Sequence, residues 1–142
     1  MDDGEFALAV LLVVVTTNLF NLLDLRPGRA VKAFVLLAAA LTLATWDVSG
    51  LEILGLFAAP VVVVGFYDLR ERTMLGDTGS NLIGGLAGLW MVLALDTTGQ
   101  LIALAVVLVL TVYGEFRSLS ALIERTPLLR QIDSIGRNGQ HA

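Results

Sequence analysis

A polar stretch near the start of the chain interrupts an otherwise apolar run with Asn18, Asn21 and Asp24. These side chains recur at every third residue, so on a helix they lie on one side near its end. Inside a membrane such groups are costly and by default mark a functional site that faces the bundle interior. Their chemistry would be binding a polar substrate or supporting a cation. The alternative is that Asn18 and Asn21 join helices by hydrogen bonding while Asp24 merely ends the span.

A second polar cluster, residues 74–81, reads Met-Leu-Gly-Asp-Thr-Gly-Ser-Asn. The glycines beside Asp77 predict a tight turn, with Thr78 or Ser80 capping the helix that follows. Free N–H groups at a helix start favour an anion, but Asp77 repels phosphate unless a cation intervenes. Mg²⁺ suits this combination, because it is bound through one or two carboxylates together with substrate phosphates. A simple capping loop explains the cluster equally well.

The elements that position both clusters are predicted to be membrane helices. The 142 residues are 56% hydrophobic and 15% charged, with a mean hydropathy of +0.82; soluble domains carry about 25% charged residues. The absence of cysteine excludes disulfides and thiol catalysis, and the single histidine, His141, excludes a His-cluster metal site. Any metal would therefore have oxygen ligands.

Five runs without Lys or Arg are long enough to predict five spans: 6–23, 33–46, 51–67, 82–95 and 101–116. With five crossings, all nine basic residues fall on one side: Arg26, Arg29, Lys32, Arg70, Arg72, Arg117, Arg125, Arg130 and Arg137. The positive-inside rule then predicts a multi-pass protein of the plasma membrane with its N-terminus outside and its C-terminus cytoplasmic. Both clusters would meet at the cytoplasmic face, where Arg26 and Arg29 could bind phosphate.

The predicted organisation is an all-α membrane bundle over residues 1–117, followed by an amphipathic tail over 118–142. Thr126 and Pro127 predict a helix start within the tail, and Gly136 a stop. Interfacial helices at lipid headgroups are favoured over a partner-binding role. Gly84 and Gly88 predict close helix packing, and Pro60 a kink rather than an end in the third span.

Both clusters resemble motifs of the polyprenyl-phosphate N-acetylhexosamine-1-phosphate transferases, a family that includes phospho-N-acetylmuramoyl-pentapeptide transferase. Residues 18–24 look like that family's N-x-x-N-x-x-D stretch, and residues 74–80 look like its M-G-D-x-G-S motif. The resemblance covers nearly the whole chain, but as the C-terminal half of a usual member. The acidic N-terminal segment without a basic region also suits the second half of a longer protein.

The resemblance implies Mg²⁺-dependent attack of a polyprenyl phosphate on a UDP-amino sugar, with transfer of sugar 1-phosphate and release of UMP, in cell-envelope glycan synthesis such as that of peptidoglycan. Asp77 would be the metal ligand and, with Asp24, a catalytic residue. Asn21 and Asp24 would hold nucleotide or support the metal site, and Asn18 would position these residues. Membrane lipid is an expected partner and nucleic acid is not; a separate N-terminal-half chain or a second copy would complete the site.

The chain also departs from the family pattern. Pro27 stands where the family has a second aspartate, Asp2 and Asp3 are predicted on the wrong side to replace its aspartate pair, and its histidine-containing loop is absent. Two carboxylates are few for a Mg²⁺–diphosphate reaction, and Asp68 and Glu71 are interpreted equally well as plain loop charges or as further site residues. Two alternatives to an enzyme follow: a non-catalytic relative that acts as a membrane scaffold or binds lipid phosphate, and an unrelated small transporter or membrane subunit.

Overall fold

A computed structural model describes residues 2–116 and 123–135, apart from the side chains of residues 51 and 58, and the regular structure in these ranges is helical. The helices are α1 (Asp3–Leu23), α2 (Arg29–Thr45), α3 (Ser49–Asp68), α4 (Gly76–Ala94), α5 (Thr97–Phe116) and α6 (Pro127–Ser134). The all-α prediction is confirmed.

The five apolar runs each form one helix, to within one residue at the C-terminal end. Local chemistry explains several boundaries. Asp2 and Glu5 form a capping box at the start of α1, and the Asp96 carboxylate accepts a hydrogen bond from the Gly99 N–H (2.8 Å) at the start of α5. Trp46 turns left-handed after α2, with φ 53°. Helix α3 continues through Pro60, as predicted.

Two helices, α1 and α5, are long and apolar enough to cross a bilayer. Only 22% of the apolar window of α1 and 11% of that of α5 is buried within the bundle, so most of their side chains point outward. Helix α2, at 17 residues, is shorter. Among the residues that the structure describes, two of the five predicted spans meet the length and hydropathy requirement.

Helices α1 and α4 pack antiparallel through glycine. A Cβ atom on Gly84 would lie 2.7 Å from the Cα atom of Thr17, and one on Gly88 would lie 2.7 Å from the Cα atom of Val13. Neither position has room for a larger side chain, because the obstacle is backbone. The predicted close packing at these two glycines is confirmed, and it fixes the register of the two helices that carry the polar clusters.

Four helix ends meet at one end of the bundle, called here the site end: the C-termini of α1 and α3 and the N-termini of α2 and α4. Gly28 turns left-handed there (φ 79°), and its N–H donates to the Asp68 carboxylate at 2.9 Å. Helix α6 joins this end through Asp133, which pairs with Arg29. It begins at Pro127 after Thr126, as predicted. The predicted stop at Gly136, together with Arg117, Arg137 and His141, lies outside the described residues.

Candidate functional site

The second polar cluster is helical from Gly76 onward. The predicted cap at Thr78 or Ser80 was wrong, because α4 already begins at Gly76 and Leu75 occupies the position before it. Gly76 adopts φ +63°, a left-handed conformation that favours glycine and turns the chain directly into the helix. Asp77 therefore lies in the first turn, where a carboxylate interacts favourably with the helix dipole.

Side-chain hydrogen bonds connect the two clusters. The Asn21 amide nitrogen lies 3.5 Å from Ser80 Oγ and 3.3 Å from Asn81 Oδ1. Ser80 Oγ in turn donates to the backbone carbonyl of Asp77 (3.2 Å). The end of α1 and the start of α4 thus form one polar surface, and the contact between clusters that alternating helix directions predict is present.

Asp24, directly after α1, is buried beside two other carboxylates. Burial, the nearby Asp68 carboxylate and, more weakly, Asp77 together raise its pKa from the ordinary value of 3.8 to about 6, although a hydrogen bond from the Gly76 backbone opposes the shift. Within the part of the chain that the structure describes, Asp24 Oδ1 has no hydrogen-bond partner. A cation near this oxygen would relieve the unfavourable charge.

Asp68 is the residue that sequence reasoning missed. Of the two alternatives that the sequence left open, a plain loop charge is excluded, since Asp68 is fully buried at the end of α3. One carboxylate oxygen accepts the Gly28 N–H, and the other has no partner among the described residues. One available signal was its position: like Asp24, it directly follows an apolar run at the site end. Glu71 is exposed in the following loop.

The three carboxylates of Asp24, Asp68 and Asp77 are called here the acidic cluster. Residues 2–116 and 123–135 contain no group of three His, Cys, Asp or Glu side chains placed to hold a metal ion. Mg²⁺ requires fewer, because it keeps several waters and binds through one or two carboxylates. An exposed Asp77 and the unpartnered Asp24 oxygen fit a cation that arrives with substrate phosphate, rather than a closed protein cage.

The remaining predicted substrate-binding residues occupy different environments. Arg26 is half-exposed and pairs with Glu124 at 2.8 Å, so it lies at the rim. Arg29 is buried, and its guanidinium forms two hydrogen bonds with Asp133, at 2.8 and 3.2 Å. Asn18 is exposed on α1. Of the four residues predicted to bind substrate, Asn21 alone contacts the other polar cluster through hydrogen bonds in the described ranges.

The raised pKa of Asp24 predicts a pH-dependent stability. Because the folded state disfavours the ionised carboxylate, its contribution to stability is fully present below pH 3.8 and is lost as the pH rises through about 6. The thermal unfolding midpoint of the protein in detergent without divalent ions should therefore fall between pH 4 and 7, and the Asp24→Asn variant should show a smaller fall.

Asp47→Asn is the matched control for this measurement. Hydrogen bonds from Ser49 lower the pKa of the exposed Asp47 carboxyl below its ordinary value. Any stabilisation by the ionised Asp47 carboxylate is therefore lost only when the pH falls below that ordinary pKa. The thermal unfolding midpoint of this variant should still fall between pH 4 and 7. A fall of the same size in Asp24→Asn would contradict the assigned environment of Asp24.

The acidic cluster is thus two buried carboxylates and one exposed carboxylate at the junction of four helix ends. Family models, curated proteins and solved structures give no match to this chain.

Proposed function

We propose that the chain is a plasma-membrane protein with five spans, an outside N-terminus and a cytoplasmic C-terminus. The distribution of basic residues supports this orientation. Among the described residues, the turns at the site end carry Arg26, Arg70 and Arg72, whereas the opposite turns carry Asp47 and Asp96 and no basic residue. Trp46, 87% exposed beside one of those opposite turns, suits a membrane interface.

We infer that the protein transfers sugar 1-phosphate from a UDP-amino sugar to polyprenyl phosphate at the site end. The observation that carries this proposal is the contact between the two clusters: Asn21 reaches Ser80 and Asn81, and Asp24 is buried within electrostatic range of Asp77. A phosphate-transfer site needs carboxylates that bind a cation and polar groups that bind substrate, both at the edge of the membrane. Asp24 and Asp77 supply the carboxylates. Asn21, Ser80 and Asn81 supply the polar groups.

Each residue of the site has a proposed role. Asp77 holds Mg²⁺ from the exposed first turn of α4, and Asp24 offers its unpartnered oxygen as a second carboxylate ligand. When bound, Mg²⁺ would neutralise the negative charge of the diphosphate and the charge that develops on the leaving UMP. Asn21 orients the polar surface, and Arg26, at the rim, binds a phosphate oxygen.

An apolar cavity suits the hydrocarbon chain of the lipid substrate. It has a volume of about 380 Å³, and its lining comes from α1, α2, α4 and α5, with Leu19, Leu37, Leu41, Met91 and Val106 among the residues. It extends from Leu23, beside Asp24, to Leu95 at the opposite end of α4. A polyprenyl chain in this cavity would place its phosphate near the acidic cluster.

A non-catalytic role is the second candidate function. It is favoured by the small number of acidic ligands in the described ranges and by the pairing of Arg29 with Asp133. In that case the chain binds polyprenyl phosphate as a scaffold in envelope assembly. In the catalytic case, we propose that a separate N-terminal-half chain or a second copy of this chain contributes further acidic groups.

The decisive test is Mg²⁺-dependent release of UMP from UDP-N-acetylhexosamines by the protein in vesicles containing undecaprenyl phosphate. The assay is run with the chain alone and with a candidate partner chain. Release that requires both Mg²⁺ and the lipid phosphate is expected. Silence in both assays, with retained binding of undecaprenyl phosphate, would favour the scaffold. Silence without such binding would overturn both proposals.

A further inference from the structure

Helix α6 is attached to the bundle by a buried ion pair. Arg29 Nε lies 2.8 Å from Asp133 Oδ1, and the two side chains are 4% and 8% exposed. A terminal guanidinium nitrogen reaches the second carboxylate oxygen at 3.2 Å, and Lys32 Nζ donates to the Asp133 backbone carbonyl at 2.6 Å. A bidentate guanidinium–carboxylate contact is strong and directional, so it holds α6 in one orientation.

An apolar cavity of about 200 Å³ lies beneath α6. Its walls come from α1, α2 and α5, and α6 borders it on one side with Leu129, 38% exposed, and the half-buried Ile132. Four residues line both this space and the larger apolar cavity described above: Leu19, Leu23, Ala33 and Leu110. The two spaces are therefore adjacent, and α6 partly covers the smaller one at the site end.

Helix α6 is held on one face only. Asp133 is buried and Ile132 is half-buried, whereas Leu128, Arg130 and Gln131 are exposed. A buried ion pair is a weak source of net stability, but loss of one partner leaves the other charge buried and uncompensated. The docked position of α6 thus depends on the contacts that Asp133 makes with Arg29 and Lys32, and these can exist in a made and a broken state.

We propose that α6 is a lid over the smaller apolar cavity and that the Arg29–Asp133 ion pair is its latch. Breaking the pair releases α6 and widens the entrance to this cavity at the site end. Opening also exposes Arg29 and Lys32 at the mouth, so the same movement that uncovers an apolar space presents positive charge beside it. This inference does not depend on the proposed transferase activity.

The natural absence of cysteine allows a direct test in the 142-residue chain in detergent. The Ile132→Cys variant reports the covered face of α6, and Leu128→Cys, 68% exposed in the parent structure, reports its outer face. With a water-soluble thiol reagent, Ile132→Cys should react more slowly than Leu128→Cys. Adding Asp133→Asn should accelerate labelling at position 132 by at least about tenfold, because the latch is lost, and leave labelling at position 128 unchanged.

Two further variants distinguish a latch from general loosening of the fold. Glu124→Gln removes the exposed pair with Arg26, and since exposed pairs contribute little, labelling at position 132 should stay within about twofold. The exchange Arg29→Asp with Asp133→Arg should restore slow labelling. Equal labelling of the two reporters in the parent chain, or an unchanged rate at position 132 in Asp133→Asn, would overturn the proposal.

Discussion

Replacing Asp77 by Asn is expected to abolish Mg²⁺-dependent release of UMP while the helix bundle remains intact. The amide has the same size as the carboxylate but no charge, and Asp77 is exposed in the first turn of α4. A catalytic cation contributes several kcal/mol of charge stabilisation. Loss of its ligand should therefore reduce the initial rate by about 100-fold or more.

Asp96→Asn is the matched control for this prediction. Asp96 is exposed at the opposite end of the bundle and caps α5 through the Gly99 N–H, a role that asparagine fills equally well. Turnover and the thermal unfolding midpoint should both stay at parental values. Full turnover in Asp77→Asn would remove Asp77 from the site, whereas loss of turnover in both variants would indicate general damage to the fold.

The helices themselves could be predicted because their signal is local. Runs of apolar residues separated by polar turns locate α1 to α5 without knowledge of their neighbours. The pairing of Gly84 and Gly88 on one face of a helix likewise predicts a close approach. Such features depend on residues within one or two helical turns, and these are readable in order along the chain.

The details of the site could not be predicted because they depend on contacts between distant residues. Asp68 is buried because α2 returns beside α3 and offers the Gly28 N–H, 40 residues away in the chain. Arg29 is occupied because Asp133, 104 residues later, docks on it. The early start of α4 follows from the backbone conformation of Gly76. Charge counts along the sequence contain none of this information.

The packing of α1 on α4 links the fold to the candidate site. Contacts of Gly84 with Thr17 and of Gly88 with Val13 set the register of the two helices. The same register brings Asn21 to Ser80 and Asn81, about one helical turn from Gly84. A change in the separation of α1 and α4 would therefore alter stability and the geometry of the polar surface together.

Gly84→Leu is accordingly expected to cost the bundle about 3 kcal/mol or more of unfolding free energy, at the upper end of overpacking effects. Its Cβ atom would lie 2.7 Å from the Thr17 Cα atom and 2.9 Å from Phe20 Cβ. Backbone cannot move aside as a flexible side chain can, so α1 and α4 must separate. The thermal unfolding midpoint in detergent should fall sharply, the monodisperse size-exclusion peak should be lost, and UMP release should disappear with it.

Gly85→Leu offers an unusually close control, because it adds the same side chain one residue further along α4. At Gly85 a Cβ atom would meet only Thr17 Oγ1, at 3.8 Å, an ordinary contact distance. This variant should therefore keep the parental midpoint and elution profile, even though its helix propensity and hydrophobicity change as in Gly84→Leu. If the two variants were equally stable and monodisperse, the face of α4 that carries Gly84 would not contact α1, and the register that brings Asn21 to Ser80 would be wrong.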